Sequence, residues 1–267
     1  MSAPETTVVL LEEDKDWATL WLNRPEARNA MSDELVSELQ AMLDYLATRE
    51  DIRGITVRGK GEVFCAGGDL KGFKNNFQDG RTDEQVIEDS SKMGRFFLTV
   101  RSMPQVIVFL LQGAAMAGGL GMASAGDIVI ATKDTKMALT ETAIGIVPAQ
   151  IGRYIVARTG DIQARRIMLT GHRFTAQQGV GYGLVDILVD DLAAGEAELQ
   201  DIIAGVRRCA PGANAATKKL LEANKHLDDT AMIRYAGEAF AASVKSDEGR
   251  EGVASFLEKR KPNWVQE

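Results

Sequence analysis

The stretch Gln112–Ala131, QGAAMAGGLGMASAGDIVIA, constrains this chain more than any other. An apolar run, Val106–Leu111, leads into it and reads as a buried strand; a second, Ile128–Ala131, leaves it after Asp127. Between them stand Gly113, Ala114, Ala115, Ala117, Gly118 and Gly119, residues with little or no side chain. A chain gives up this much side chain where its backbone must approach something closely. The predicted geometry is a strand, a tight loop and a short helix beginning at Gly118–Gly119. Such a helix start presents unpaired N–H groups and the positive end of a dipole, which suit a negative charge developing on oxygen. The same composition also suits close helix–strand packing with no ligand.

At 267 residues the chain supports one large domain, or one with a small appendage. The net charge of −7 disfavours nucleic acid as a partner. The two cysteines, Cys65 and Cys209, lie far apart and without metal-ligand spacing, which fits a reducing, cytoplasmic setting. The N-terminal MSAPETTVVLLEED lacks a basic n-region and a long apolar run, so no signal peptide is expected. No uncharged, glycine-poor run reaches membrane-spanning length, so no membrane partner is expected either.

Along the chain, Thr7–Leu11 and Trp17–Leu22 read as a hairpin with Glu12–Asp16 between them. Ser32 is a good N-cap, and Leu35, Leu39, Met42, Leu43 and Leu46 fall on one face of a helix over 33–49. Ile52–Arg58 and Val63–Ala66 read as strands, and Glu84–Arg101 as a helix. Strand, strand, helix has then appeared twice, and Val106–Ala131 repeats the order loosely. Met137–Leu139 reads as a strand, Arg153–Thr159, Ile162–Thr170 and Thr175–Tyr182 as helices, and Leu184–Val189 as a last strand. From Leu192 onward the pattern is helical: Leu192–Arg207, a helix opened by Pro211, Thr230–Lys245 and Glu251–Arg260. The chain is thus expected to be α/β over residues 1–190, with a helical region over 191–267 that packs on a neighbouring subunit.

Several strings stand in the order found in one family: LNRPEARNAM (Leu22–Met31), FCAGGDL (Phe64–Leu70), the glycine-rich stretch ending GDIVIA, ETAIGIVP (Glu141–Pro148) and FLEKRKPNW (Phe256–Trp264). Over essentially its whole length the chain resembles the enoyl-CoA hydratase/isomerase, or crotonase, superfamily. The resemblance implies a crotonase (ClpP-like) spiral of strand-strand-helix turns with a C-terminal helical region. It also implies homotrimers or dimers of trimers, acyl-CoA thioester substrates, and no metal or redox cofactor, CoA being part of the substrate. A thioester carbonyl becomes an enolate-like oxyanion in the transition state, and two backbone N–H donors would stabilise it. By resemblance the donors are Ala66 and Gly118, with Gly67, Gly68, Asp69, Met116 and Gly119 around the thioester and acyl group. Arg28 and Ala30 match the position lining the CoA channel. Leu70 and Lys71 match a border of the adenine, and Phe256 and Lys259 match C-terminal positions that reach CoA.

Hydratases of this family hold a water between two glutamates. The first falls three residues after the oxyanion glycine; here that residue is Gly121. The second is present as Glu141, expected to carry proton transfer. One carboxylate suits an isomerase, or a hydratase with an altered water site. The string PAQIG (Pro148–Gly152) resembles members acting on branched glutaconyl-CoA esters. The missing side chain at 121 is expected to open space for a branched tail, and Gln150, Arg153 or Thr140 to hold a water or a second carboxylate.

Other readings are weaker. Gly119-x-Gly121-x-x-Ser124 is a near miss to a dinucleotide fingerprint: the third glycine is missing, and no acidic residue closes a second strand at the right distance. A non-catalytic acyl-CoA binder is permitted by the lost glutamate, whereas the retained Glu141 and both oxyanion positions argue against it. Cys65 as a nucleophile lacks a base, because His172 and His226 have no motif around them and read as solvated, so Cys65 is expected to pack as a small hydrophobe. The methionines read as core filler, with Met116 also lining the acyl pocket.

Overall fold

The structure, a computed structural model, describes residues 2–69 and 80–265. Strands β1 (Val9–Asp14) and β2 (Trp17–Leu22) form the expected hairpin, Val9 facing Leu22 and Asp14 facing Trp17. The acidic residues expected to form the turn continue β1 instead, because Lys15, at φ 58°, turns the chain within two residues. Charged side chains on that outer strand also blunt the sheet edge. Helix α1 (Asp33–Ala47) starts where Ser32 accepts the Leu35 N–H, and it buries Leu35, Leu39, Met42, Leu43 and Leu46.

Strand β3 (Gly54–Gly59) joins β2 in parallel, and β4 (Val106–Leu111), β6 (Ile128–Thr132) and β9 (Ile187–Val189) follow in parallel, giving the sheet order β1-β2-β3-β4-β6-β9. Parallel neighbours need crossovers. Helix α2 (Asp83–Ser102), opened by a Thr82–Gln85 capping box, enters β4, and helix α3 (Gly118–Ala125) lies between β4 and β6. Alternate residues of β4 face opposite layers. Ile107, Phe109 and Leu111 join the main core with α1, α2 and α3, whereas Val108 and Leu110 meet Leu199 and Ile203 of α6 (Leu192–Arg208). Burial on both faces explains why the parallel strands read as unbroken apolar runs.

A second sheet, ordered β5-β7-β8, joins β5 (Ala114–Met116), β7 (Lys136–Ala138) and β8 (Phe174–Thr175). The expected strand Val63–Ala66 does not form a ladder. It makes single parallel bridges, Cys65 to Ala115 and, beyond it, Gly68 to Met31, because the segment changes partner at Gly67, where φ is 97°. The two helices expected over 153–170 are the halves of α4 (Gly152–Thr170), separated by a non-helical Gly160. Helix α5 (Ala176–Tyr182) carries the Thr175–Gln178 capping box.

The C-terminal region holds α6, α7 (Pro211–Ala223), α8 (Asp229–Lys245) and α9 (Asp247–Leu257). The last helix begins earlier than its apolar pattern suggests, since Ser246 caps it by accepting the Gly249 N–H. It stops at Leu257 because Glu251 draws the following segment back, accepting from Arg260 and from the Asn263 N–H at 2.9 Å. Among the described residues no helix is long and apolar enough to cross a membrane.

Candidate active site

The loop before α1 is built from two consecutive left-handed residues, Arg28 at φ 52° and Asn29 at φ 53°. Non-glycine residues rest there only when something holds them. The buried Asn29 side chain does so: its Oδ1 accepts the Arg24 N–H at 2.8 Å, and its Nδ2 donates to the carbonyls of Lys60 at 2.9 Å and Val63 at 2.7 Å. Arg24 adds donation to the Ala30 carbonyl at 2.7 Å and an ion pair with Asp69 at 3.3 Å. The loop thereby cradles residues 65–69. Met31 donates to the Gly67 carbonyl at 2.8 Å, and Asp69 donates to the Met31 carbonyl at 3.1 Å. Asn29→Ala is expected to cost about 2–3 kcal/mol, because two carbonyls and one amide lose a buried partner; urea unfolding measures it.

On the other side, Cys65 donates to the Ala114 carbonyl and Met116 donates to the Cys65 carbonyl, each at 3.0 Å. Ala117 donates to the Ala138 carbonyl at 2.8 Å and is itself strained, with φ 46° and ψ −121°. Strain at this N-cap turns the backbone sharply into α3. Cys65 is packed as expected for a small hydrophobe, and its burial pushes the thiol up to about 12. A Cβ on Gly119 would lie 2.7 Å from the Cys65 sulfur. Close packing is therefore the reason for Gly119, and likewise for Gly113 and Gly126, which meet the Glu62 carbonyl and the Phe109 ring.

Amide accounting changes one expectation. Phe64, Cys65 and Ala66 all spend their N–H groups, and Ala66 spends its own on the Arg28 carbonyl at 3.0 Å. The Ala66 hydrogen is thus not available to a ligand. Further along, the Gly68 N–H meets no acceptor among the described residues, and a Cβ there would have nothing within 4 Å. Gly118, the first residue of α3, also offers an N–H that the helix cannot accept. Both glycines adjoin Met31, which bridges to Gly68 and whose sulfur lies 3.1 Å from a Cβ built on Gly118. Gly68 replaces Ala66 as the candidate donor.

Glu141 enters from β7. That strand runs parallel to β5 with Met116 beside Ala138, so the chains carrying Gly118 and Glu141 leave the small sheet in the same direction. The Glu141 carbonyl closes a short turn by accepting from Ile144 and Ile146 at 3.1 Å, and Thr142 pins that turn to the Met168 carbonyl at 2.7 Å. One carboxylate oxygen, Oε2, is buried without a hydrogen-bond partner among the described residues. Burial pushes this carboxyl above its ordinary range.

Residues 12–267 match the family model described as enoyl-CoA hydratase/isomerase. The chain belongs to that family. A probable enoyl-CoA hydratase of Bacillus subtilis (strain 168) is 30% identical over 257 residues, spanning 96% of this chain and 98% of the relative. Among solved structures, Pseudomonas aeruginosa AtuE is similar with a TM-score of 0.93 at 39% identity, over 97% of this chain and 100% of that one. An enoyl-CoA hydratase/isomerase from Marinobacter aquaeolei gives a TM-score of 0.92 at 34% identity, over 97% and 99% of the two chains. The fold is therefore that of the crotonase superfamily.

Within this crotonase fold, the space at Gly121 is not open as expected. A Cβ there would lie 2.2 Å from Cγ2 and 2.5 Å from Cβ of Ile151, so that side chain has already taken the volume. Gln150 points elsewhere: its amide donates to Ser90 Oγ at 2.9 Å, in a slot against Gly94. Arg153 lies 3.9 Å from Glu222. Met116 is half-buried beside the amides, and the Arg28 side chain is exposed. Leu70 and Lys71 lie outside the described residues. Phe256, 83% exposed on α9, and Lys259, in the turn after that helix, are not brought to the glycine segments within this chain. His226 is exposed, but His172 is not simply solvated: it bonds Thr170 at 2.7 Å and packs against Phe174 and Tyr182.

Three residues escaped the sequence reading: Asn29 as the loop's hub, Gly68 as a donor, and Ile151 as a wall. Asn29 had one signal, an amide side chain in the loop between Pro25 and the N-cap Ser32. Donor identity has none in the sequence, since it depends on which neighbouring strand consumes each amide.

Proposed function

We propose that this protein adds water across the 2,3 double bond of an enoyl-CoA thioester. The observation that carries it is the combination of a buried Glu141 oxygen and the Gly68 and Gly118 amides, none of which meets a hydrogen-bond partner among the described residues. Ionised Glu141 takes a proton from water as the hydroxyl bonds to C3. The C2–C3 π electrons move toward the thioester, and the oxygen becomes an enolate held by the Gly68 and Gly118 amides. Glu141 then returns the proton to C2 on the same face. One water is consumed, its hydrogen and hydroxyl add syn, and the carboxylate is regenerated.

Arg28 supports the CoA end from this chain. Phe256 and Lys259 support it from a neighbouring copy in a homotrimer or dimer of trimers, a reading supported by the exposure of Phe240, Phe256 and Leu257, large apolar side chains that a neighbour would cover. The string Pro148–Gly152 resembles that of members acting on branched glutaconyl-CoA esters, but its Ile151 fills the space over Gly121, which favours an unbranched acyl chain. A second reading, double-bond isomerisation, is favoured by Ile151: with an apolar group over Gly121, Glu141 alone would carry a proton from C2 to C4 of a 3-enoyl ester.

The test is turnover of saturated, 2-enoyl, 3-enoyl and 3-methylglutaconyl CoA esters, followed as hydration against isomerisation. Hydration of a 2-enoyl ester is expected, and failure of every ester to react overturns the proposal. Gly68→Pro removes the donor hydrogen while sparing the Gly67 carbonyl and the Asp69 amide that hold the bridge to Met31. It is expected to lower kcat about 100- to 1,000-fold; a variant within a few-fold of the parent would return the role to another amide.

A further inference from the structure

We propose that Ile151 is the specificity-determining wall of the acyl pocket, selecting the shape of the acyl carbons next to the thioester. This rests on the functional reading above. Gly118 and Gly121 are one turn apart on α3 and so share a face. An acyl chain whose carbonyl oxygen meets the Gly118 amide leaves across that face. There Ile151 presents three atoms to the position a Gly121 side chain would take, Cγ2, Cβ and Cδ1, at 2.2, 2.5 and 3.3 Å from the Cβ site. Ile151 and any side chain at 121 therefore exclude each other.

The wall is also held. The Ile151 carbonyl accepts from Tyr154 at 3.0 Å and Ile155 at 3.2 Å, and Gly152 donates to the Pro148 carbonyl at 2.9 Å. Gln150 before it is fastened to Ser90 at 2.9 Å on α2. A β-branched side chain on a fixed backbone has little freedom to swing aside. Ile151 is 4% exposed, and Leu120 and Met122, on either side of Gly121 in α3, are buried. A bulkier acyl branch cannot displace it without moving α4.

Binding of non-reacting saturated acyl-CoA esters tests this apart from catalysis. Ile151→Ala is expected to raise the affinity for a chain with a bulky 3-substituent relative to an unbranched chain of equal length by about tenfold or more. Gly121→Ala alone is expected to destabilise the protein, and Gly121→Ala combined with Ile151→Ala to recover stability and bind both esters. If the parent binds CoA esters but the ratio is unchanged in Ile151→Ala, the wall assignment is overturned and the functional reading stands. If the parent binds no CoA ester, both fall.

Discussion

Glu141→Gln is expected to lower kcat by about 100- to 10,000-fold, the range for losing a positioned acid–base group. The amide keeps the shape of the carboxyl but takes no proton from water and returns none to C2. The fold should be undisturbed, and neutral-pH stability higher. The sign follows from burial. The carboxyl is pushed above its ordinary value, so the folded chain holds that proton more tightly than the unfolded chain. Stability is then lost as pH rises from the ordinary carboxylate value through the raised one. Gln has no such titration. Melting temperatures of parent and variant should therefore differ at neutral pH and draw together near pH ~4. The parent's kcat/KM should fall on acidification at a pH above the ordinary carboxylate range. A Glu141→Gln enzyme within a few-fold of the parent would remove Glu141 from the chemistry.

Arg53→Ala is expected to cost about 3–5 kcal/mol, because four carbonyls lose a charged donor, hydrogen bonds to charged groups contribute about 1.5–3 kcal/mol each, and water returns part of the loss. Arg53 is 9% exposed, and its guanidinium donates to the carbonyls of Val206 at 3.2 Å, Arg207 at 3.1 Å, Trp264 at 2.9 Å and Cys209. Three of these lie at or just past the end of α6, where carbonyls have no partner inside the helix. One side chain beside β3 therefore caps α6 and ties down the segment after α9. Burial, and to a smaller extent the neighbouring Arg207 charge, push the guanidinium down from its ordinary value, so those four acceptors compensate a real desolvation penalty. Arg53→Lys should recover only part of the loss, since an ammonium cannot spread donors over four carbonyls. Guanidinium unfolding gives the energy, and limited proteolysis near Trp264 reports release of the end segment. A loss under 1 kcal/mol would mean that water satisfies those carbonyls equally well.

What was legible without coordinates has a local cause. Ser32 and the Leu35–Leu46 spacing specify α1 because capping and the helical period act within a few residues. The apolar runs of β4 and β6 specify buried parallel strands, and Gly118 as the start of a helix follows from the loss of side chains around it. Glu141 was legible as the acid–base candidate because its string keeps the family's order.

Tertiary structure alone decided which amides are free and which spaces are filled. Ala66 looked like a donor until the left-handed Arg28, held in place by Asn29, took its hydrogen. Gly121 looked like open space until Ile151, 30 residues away, came to lie over it. A hydrogen bond is consumed, and a volume occupied, by whatever the fold brings alongside, and no residue's own sequence neighbourhood carries that information.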